Sequence, residues 1–143
     1  MSLLKNIFLA EDDKEDQEIF TTVLKEIDQS IVCEIAENGR DALVRLRKRT
    51  DLPDIIFLDL NMPLMNGFEC LSKLKNEKKL SGLPVVIFTT SNNPQEAQAT
   101  HQLGANVFLS KPPTMSELRS KVERILKMDF KGGKHGYVVQ YSV

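Results

Sequence analysis

No charge of one sign dominates this chain. Its 143 residues carry 19 lysines and arginines against 20 aspartates and glutamates, a formal net charge of −1. No overall field therefore recruits nucleic acid or an anionic membrane, and direct DNA binding would need another domain. Cysteine is scarce: Cys33 and Cys70 stand alone without metal-ligand spacing and are read as reduced core fillers. Long apolar runs are missing too. None approaches the roughly 20 residues of a spanning helix, and the start MSLLKNIFLA is too short for a secretory signal. A cytoplasmic protein with no membrane role is expected. The hydrophobic content of 41% and charged content of 27% are ordinary globular values, and the length suits one domain with one sizeable core.

What is present is a set of short apolar runs: IFLA (7–10), IIFL (55–58), VVIF (85–88), VFL (107–109) and a weaker one within SIVCEIA (30–36). They do not alternate polar with apolar. Continuous β-branched and aromatic runs of this length suit strands covered on both faces, the signature of a parallel sheet. Between them lie helical stripes, Ile19, Phe20, Val23, Leu24 and Ile27 in one, Met115, Leu118, Val122, Ile125 and Leu126 in another. NGFE (66–69), NPQE (93–96) and TMSE (114–117) each place a cap residue three before a glutamate, and Pro94 falls where a first helical turn tolerates it. Strand followed by helix, about five times over, predicts an α/β three-layer sandwich: a five-stranded parallel sheet with helices on both faces. Residues 1–130 are expected to form this domain. KGGKHG (131–136) reads as a linker to a tail, YVVQYSV (137–143).

Every strand but the second ends on polar or charged residues: Glu11, Asp12 and Asp13, then Asp59, then Thr89, Thr90 and Ser91, then Ser110 and Lys111. In open α/β sheets the carboxyl edge is where ligands bind. Any one acid at a strand end is more often a helix cap or solvated turn, and Asp12 and Asp13 can each be read so. Glu11 is not a cap residue and directly follows buried chain. Thr89 alone would be a strand former, and Lys111 alone a solvated lysine. The set of four strand ends carries the signal. If Glu11, Asp12 and Asp59 converge, each pair repels by about 4 kcal/mol at ~4 Å and an effective dielectric of about 20. A raised pKa, a lysine or a cation must relieve this. Lys111 leaves the cluster net negative. With only oxygen ligands on offer the expected cation is hard, Mg²⁺. A phosphoryl group could then sit between metal, Lys111 and the Thr89 hydroxyl, with Asp59 as the attacking oxygen.

FLAEDD, DIIFLDLNMPLMNG, VVIFTTS and FLSKPP resemble the four signature segments of response-regulator receiver domains, the phosphoacceptor modules of two-component signalling, over roughly residues 5–128. The resemblance implies a flavodoxin-like fold and phosphorylation of Asp59 by a histidine kinase. It implies Mg²⁺ held by Asp12, Asp59 and the Asn61 carbonyl, with Glu11 acting through water. Thr89 matches the hydroxyl residue that moves onto the phosphoryl group, Lys111 the lysine contacting it, and Pro112 the proline that usually follows a cis bond. Phe108 matches the aromatic switch position, expected to turn inward when Thr89 moves. The context of VVIFTTSNN is similar to small receivers paired with bacterial phytochrome kinases. The expected protein is thus a single-domain response regulator, not an enzyme beyond its own phosphotransfer and dephosphorylation, acting on a downstream protein or phosphotransfer partner. The alternative is a phosphate-independent docking module on the same fold. A flavodoxin-type carrier would need a Ser/Thr/Gly-rich loop where EDDKED stands, and a haloacid-dehalogenase phosphatase a second aspartate where Asn61 stands.

Elsewhere, QEAQATHQLGA (95–105) has few large apolar residues and predicts a loosely held helix. RLRKR (45–49) reads as a solvated helix face, His101 and His135 as surface residues, and Met62 and Met65 as packing for the loop after Asp59. For the tail, disorder stands against a turn at Gly132, Gly133 and Gly136 that folds the segment back as an extended strand on its own domain or on a second copy. Such a strand would set Tyr137, Val139 and Tyr141 on one face and Val138, Gln140 and Val143 on the other. Contact with a partner chain, a homodimer, is the reading favoured for it.

Overall fold

A computed structural model describes residues 3–131 and 137–141 of the chain. His135, the glycine turn and Val143 lie outside the described residues. Strands β1 (Asn6–Ala10), β2 (Val32–Ala36), β3 (Ile55–Leu58), β4 (Val85–Thr89), β5 (Val107–Ser110) and β6 (Val138–Gln140) alternate with helices α1 (Lys14–Ile27), α2 (Gly39–Lys48), α3 (Gly67–Asn76), α4 (Pro94–Gln102) and α5 (Met115–Leu126). The strands form one sheet in the order β2-β1-β3-β4-β5-β6, with every pairing parallel.

The continuous apolar runs are explained by the two faces they serve. Side chains alternate across a strand, so Ile7, Leu9, Ile55, Phe57, Val86, Phe88, Val107 and Leu109 pack under α1 and α5. Phe8, Ala10, Ile56, Leu58, Val85, Ile87 and Phe108 pack under α2, α3 and α4. Phe20 of α1 anchors the first side, with ring centroids 4.9 Å from Phe57 and 5.4 Å from Phe88. In the α5 stripe Leu118, Val122, Ile125 and Leu126 are buried, whereas Met115, in the first turn, is exposed. Asn66 and Thr114 cap α3 and α5 by accepting from the N–H groups of Glu69 and Glu117. Asn93 caps α4 one residue sooner, on Gln95.

The sheet has one strand more than the expected five. The tail pairs in parallel with this chain's own β5, Phe108 opposite Val139, so the contact expected with a partner chain is made here within the chain. The alternation read from sequence holds for it: Tyr137 and Val139 join the α2–α4 side and Val138 the α1–α5 side. Helix α4 buries only Ala97 and Thr100. Tyr137 braces it, its hydroxyl 3.0 Å from that of Thr100 and its ring stacked on His101 at 4.2 Å. Half-burying Tyr137, Val138 and Val139 contributes about 2 kcal/mol by apolar area. Truncation after Lys131 is therefore expected to lower the melting temperature by several degrees and to leave the β5 edge open to association. Calorimetry and light scattering check both, and an unchanged melt would show that β6 adds nothing.

Candidate functional site

The strand order reverses between β1 and β3, and there the carboxyl edge opens a crevice. Ala10 and Leu58 are in register, so the next residue of each strand, Glu11 and Asp59, emerges side by side. Their backbones stay in the sheet, with Asp59 N–H donating to the Ala10 carbonyl at 3.0 Å and Glu11 N–H to that of Ala36 at 2.9 Å. Gln17 of α1 adds a bond from its amide to the Glu11 carbonyl at 2.7 Å.

Glu11 is 1% exposed and Asp59 6%, while Asp12 sits at the exposed rim. One carboxylate oxygen from each of the three lies within 4.8 Å of the others. Asp13, not Asp12, is the helix cap, accepting from Asp16 N–H at 3.0 Å. From the far side Lys111 reaches in past the Phe88 ring, its Nζ 5.3 Å from the centroid. The ammonium lies 2.7 Å from Glu11 Oε1, 2.8 Å from Asp16 Oδ2 and 3.9 Å from Asp59 Oδ2. The first two are hydrogen bonds and the third is too long for one. No cis peptide occurs among the described residues, so the Lys111–Pro112 bond is trans. Lys111 is held instead by these acids and by its N–H on the Thr89 carbonyl at 2.6 Å.

Burial is the largest influence on the acids. It pushes the Glu11 carboxyl up to about 7 against the hydrogen bond from Lys111. Asp59 is raised for the same reason, against Lys111 and the N–H of Asn61. For Lys111 burial works downward, but hydrogen bonds to Asp16 and Glu11 with the charge of Asp59 together outweigh it and raise the amine. One lysine among these acids leaves net negative charge in an all-oxygen donor set. That set fits a hard divalent cation.

Thr89 is fully buried, its hydroxyl oxygen accepting from Ser91 N–H at 3.2 Å. Asn61 contributes its N–H to Asp59 Oδ1 at 3.5 Å. Phe108, expected to swing inward on switching, is already fully buried. The tail closes over it, Tyr141 meeting its ring edge-on at 6.0 Å. The loop after Asp59 is tied down by Met62, which is buried, and Met65, which packs on the same core. Two glycines let this loop close. A Cβ on Gly67 would stand 2.2 Å from the Asp59 carbonyl oxygen, and one on Gly39 would stand 2.5 Å from that of Met65. Both neighbours are backbone and cannot give way. Leu64, at the loop's exposed tip, takes a left-handed φ of 66°.

The sequence reading assigned no role to Asp16, Gln17 or Gly67. Asp16 had a faint signal as the last acid of EDDKED (11–16), the stretch that directly follows β1. Other readings hold as solvent-facing or inert. Arg45 and Arg49 pair with Glu34, and Arg47 with Glu77. Burial pushes both cysteine thiols up to about 12, which keeps them as unreactive thiols. Among the described residues no helix is long and apolar enough to cross a membrane.

A family model describing the response regulator receiver domain matches residues 7–123. Response regulator Rcp1 of Synechocystis sp. is 34% identical over 128 residues, covering 85% of this chain and 86% of that protein. The chemotaxis protein CheY homolog of Campylobacter jejuni is 31% identical, covering 84% and 91%. Among solved structures, the phosphorylated cyanobacterial phytochrome response regulator RcpA superposes with a TM-score of 0.78 at 30% identity, covering 87% of this chain and 91% of that one. The Mn²⁺-bound form of Rcp1 gives 0.76 at 32%, covering 87% and 96%.

Proposed function

The chain belongs to the response-regulator receiver domain family, and on that premise we propose that it is a single-domain response regulator that takes a phosphoryl group onto Asp59 from a histidine kinase. One observation carries this reading. Asp59 lies in the crevice beside Glu11 and Lys111, yet its Oδ2 is 3.9 Å from the ammonium and so is not tied up by it. The carboxylate oxygen attacks the phosphorus of a phosphohistidine. The P–N bond breaks, the imidazole leaves with the electron pair, and a P–O bond forms on Asp59. Lys111, already a short swing away, meets the added charge. Glu11, Asp12 and Asp59, with the Asn61 carbonyl, would hold Mg²⁺, which supplies charge neutralisation for phosphoryl oxygens when bound. The all-oxygen donor set and the Mn²⁺ in the solved structure of Rcp1 support that assignment. The chain acts on its own aspartate rather than turning over a separate substrate.

Phosphorylation adds charge and strong acceptors. The Thr89 hydroxyl then leaves Ser91 for the phosphoryl group, drawing on β4 and, through it, on β5 and Phe108. Because Tyr141 and Tyr137 rest on Phe108 and α4, β6 feels the shift directly. The outlet is a surface for a downstream protein, and a kinase-facing role of this kind belongs to the cytoplasm. The names of RcpA and of the bacteriophytochrome response regulator RtBRR, which superposes at 0.74 and 28% identity, support a phytochrome-type kinase as donor.

The test uses acetyl phosphate and Mg²⁺ with the intact chain. Wild type should gain one phosphoryl mass and shift its resonances at Phe108 and Tyr141. Thr89→Ala should gain the same mass yet lose the coupled shift, since a hydrogen bond to a charged group contributes about 1.5–3 kcal/mol, enough to move a two-state equilibrium tenfold or more. Identical shifts in both proteins would show the switch to run elsewhere.

A further inference from the structure

Building on the phosphoacceptor reading, we infer that Asp16 is a positioning residue that holds the Lys111 ammonium off Asp59 in the resting protein. An ammonium has three N–H donors. Here two go to Glu11 at 2.7 Å and Asp16 at 2.8 Å, and the Asp59 oxygen is left at 3.9 Å. The side chain of Lys111 is 13% exposed and that of Asp59 8%, so water competes poorly for a donor freed there. If Asp16 lost its charge, Asp59 would be the nearest carboxylate left besides Glu11. A lysine stem is flexible enough to bring the ammonium the short way onto it, where a charge-assisted hydrogen bond awaits.

Asp16 is itself well fixed. It lies in the first turn of α1 with its N–H bonded to the Asp13 side chain, where the helix dipole favours a negative charge. Lys111 is thus drawn toward the helix rather than toward the nucleophile. The Asp59 carboxylate keeps its attacking electron pair free of a hydrogen bond from Lys111, whose ammonium stays 3.9 Å away. Once a phosphoryl group arrives with more charge than Asp16 carries, the lysine is within reach to follow it.

A bystander charge makes the opposite prediction. Removing one negative charge beside an anionic donor should speed phosphorylation, whereas releasing Lys111 onto Asp59 should slow it. With acetyl phosphate and Mg²⁺, Asp16→Asn should slow phosphoryl uptake by about fivefold, the scale of coupling between neighbouring side chains. Asp16→Glu should recover part of the rate. In a Lys111→Ala background the Asp16→Asn change should slow nothing further. A second readout needs neither metal nor phosphate: the Lys111 ammonium ¹⁵N resonance should move in Asp16→Asn and return toward its place in Asp16→Glu. Uptake by Asp16→Asn at or above the wild-type rate, or an unmoved Lys111 resonance, would overturn the assignment. If wild type itself takes up no phosphoryl group, the proposed function fails, and the resonance still decides whether Asp16 holds Lys111.

Discussion

Asp59→Asn is expected to abolish phosphoryl uptake, with no added mass from acetyl phosphate and Mg²⁺ under conditions that saturate wild type. An amide oxygen carries no full negative charge and is a far weaker nucleophile than a carboxylate. The neighbouring acids are poor substitutes. Glu11 is bound through both oxygens, one to Lys111 and one to the Asp13 N–H at 3.1 Å, and Asp12 stands at the open rim. The wild-type adduct, an acyl phosphate, should be released by hydroxylamine and by base. Intact-mass spectrometry reads both results. An undiminished adduct in Asp59→Asn would move the acceptor to another residue and remove the basis of the proposed function.

The second large effect is a fall in stability as pH rises, in the protein freed of divalent metal. The Glu11 carboxyl titrates near 4.5 in an unfolded chain and near 7 in the folded one, chiefly because it is buried. Between those values the folded state holds a proton that the unfolded state has released, so each step up in pH favours unfolding. The loss begins near pH 4.5, is complete a little above pH 7, and amounts to about 3 kcal/mol for Glu11 alone. Asp59, raised by the same burial, adds in the same direction. Lys111, raised overall, keeps its contribution until the pH passes the ordinary lysine range. Asp28 and Glu77, held low by hydrogen bonds from Ser30 and Arg47, titrate beneath the window.

Melting temperature should therefore drop from pH 5 to pH 8 in chelator. Asp59→Asn should flatten the drop by removing one buried charge. On the proposed function Mg²⁺ would be held by the deprotonated acids, so adding it is expected to restore the loss at pH 8 by mass action, about 3 kcal/mol at a hundred times its dissociation constant, and Asp12→Ala should not be rescued. A melt that holds level or rises across this range without metal would contradict the buried-acid account.

How much of this was legible beforehand follows from which forces are local. IFLA, IIFL and VVIF announced parallel strands because a run of apolar residues can be satisfied only by cover on both faces. The caps at Asn66 and Thr114 and the acids after β1 and β3 were readable for the same local reason. The crevice followed from strand order, which alternation of strand and helix constrains tightly. Other features depend on chain segments far apart in sequence. Lys111 is 100 residues from Glu11 and 95 from Asp16, and its choice of those two acids over Asp59 is a matter of about 1 Å, the margin between a hydrogen bond and none. No spacing rule carries that precision.

The tail shows the same division. Its sequence determined that Tyr137 and Val139 would share a face, since period two belongs to any strand. Which edge it would join, and whether its own or another chain's, was decided by the open N–H and carbonyl groups of β5 and by the poorly packed α4 beside it. Likewise the need for glycine at position 67 is invisible in NGFE and obvious once the Asp59 carbonyl lies against it. Sequence determined what each segment could form and which residues could do chemistry. Tertiary structure alone decided which polar groups meet, because burial and short-range hydrogen bonding act only between atoms the fold has already brought together.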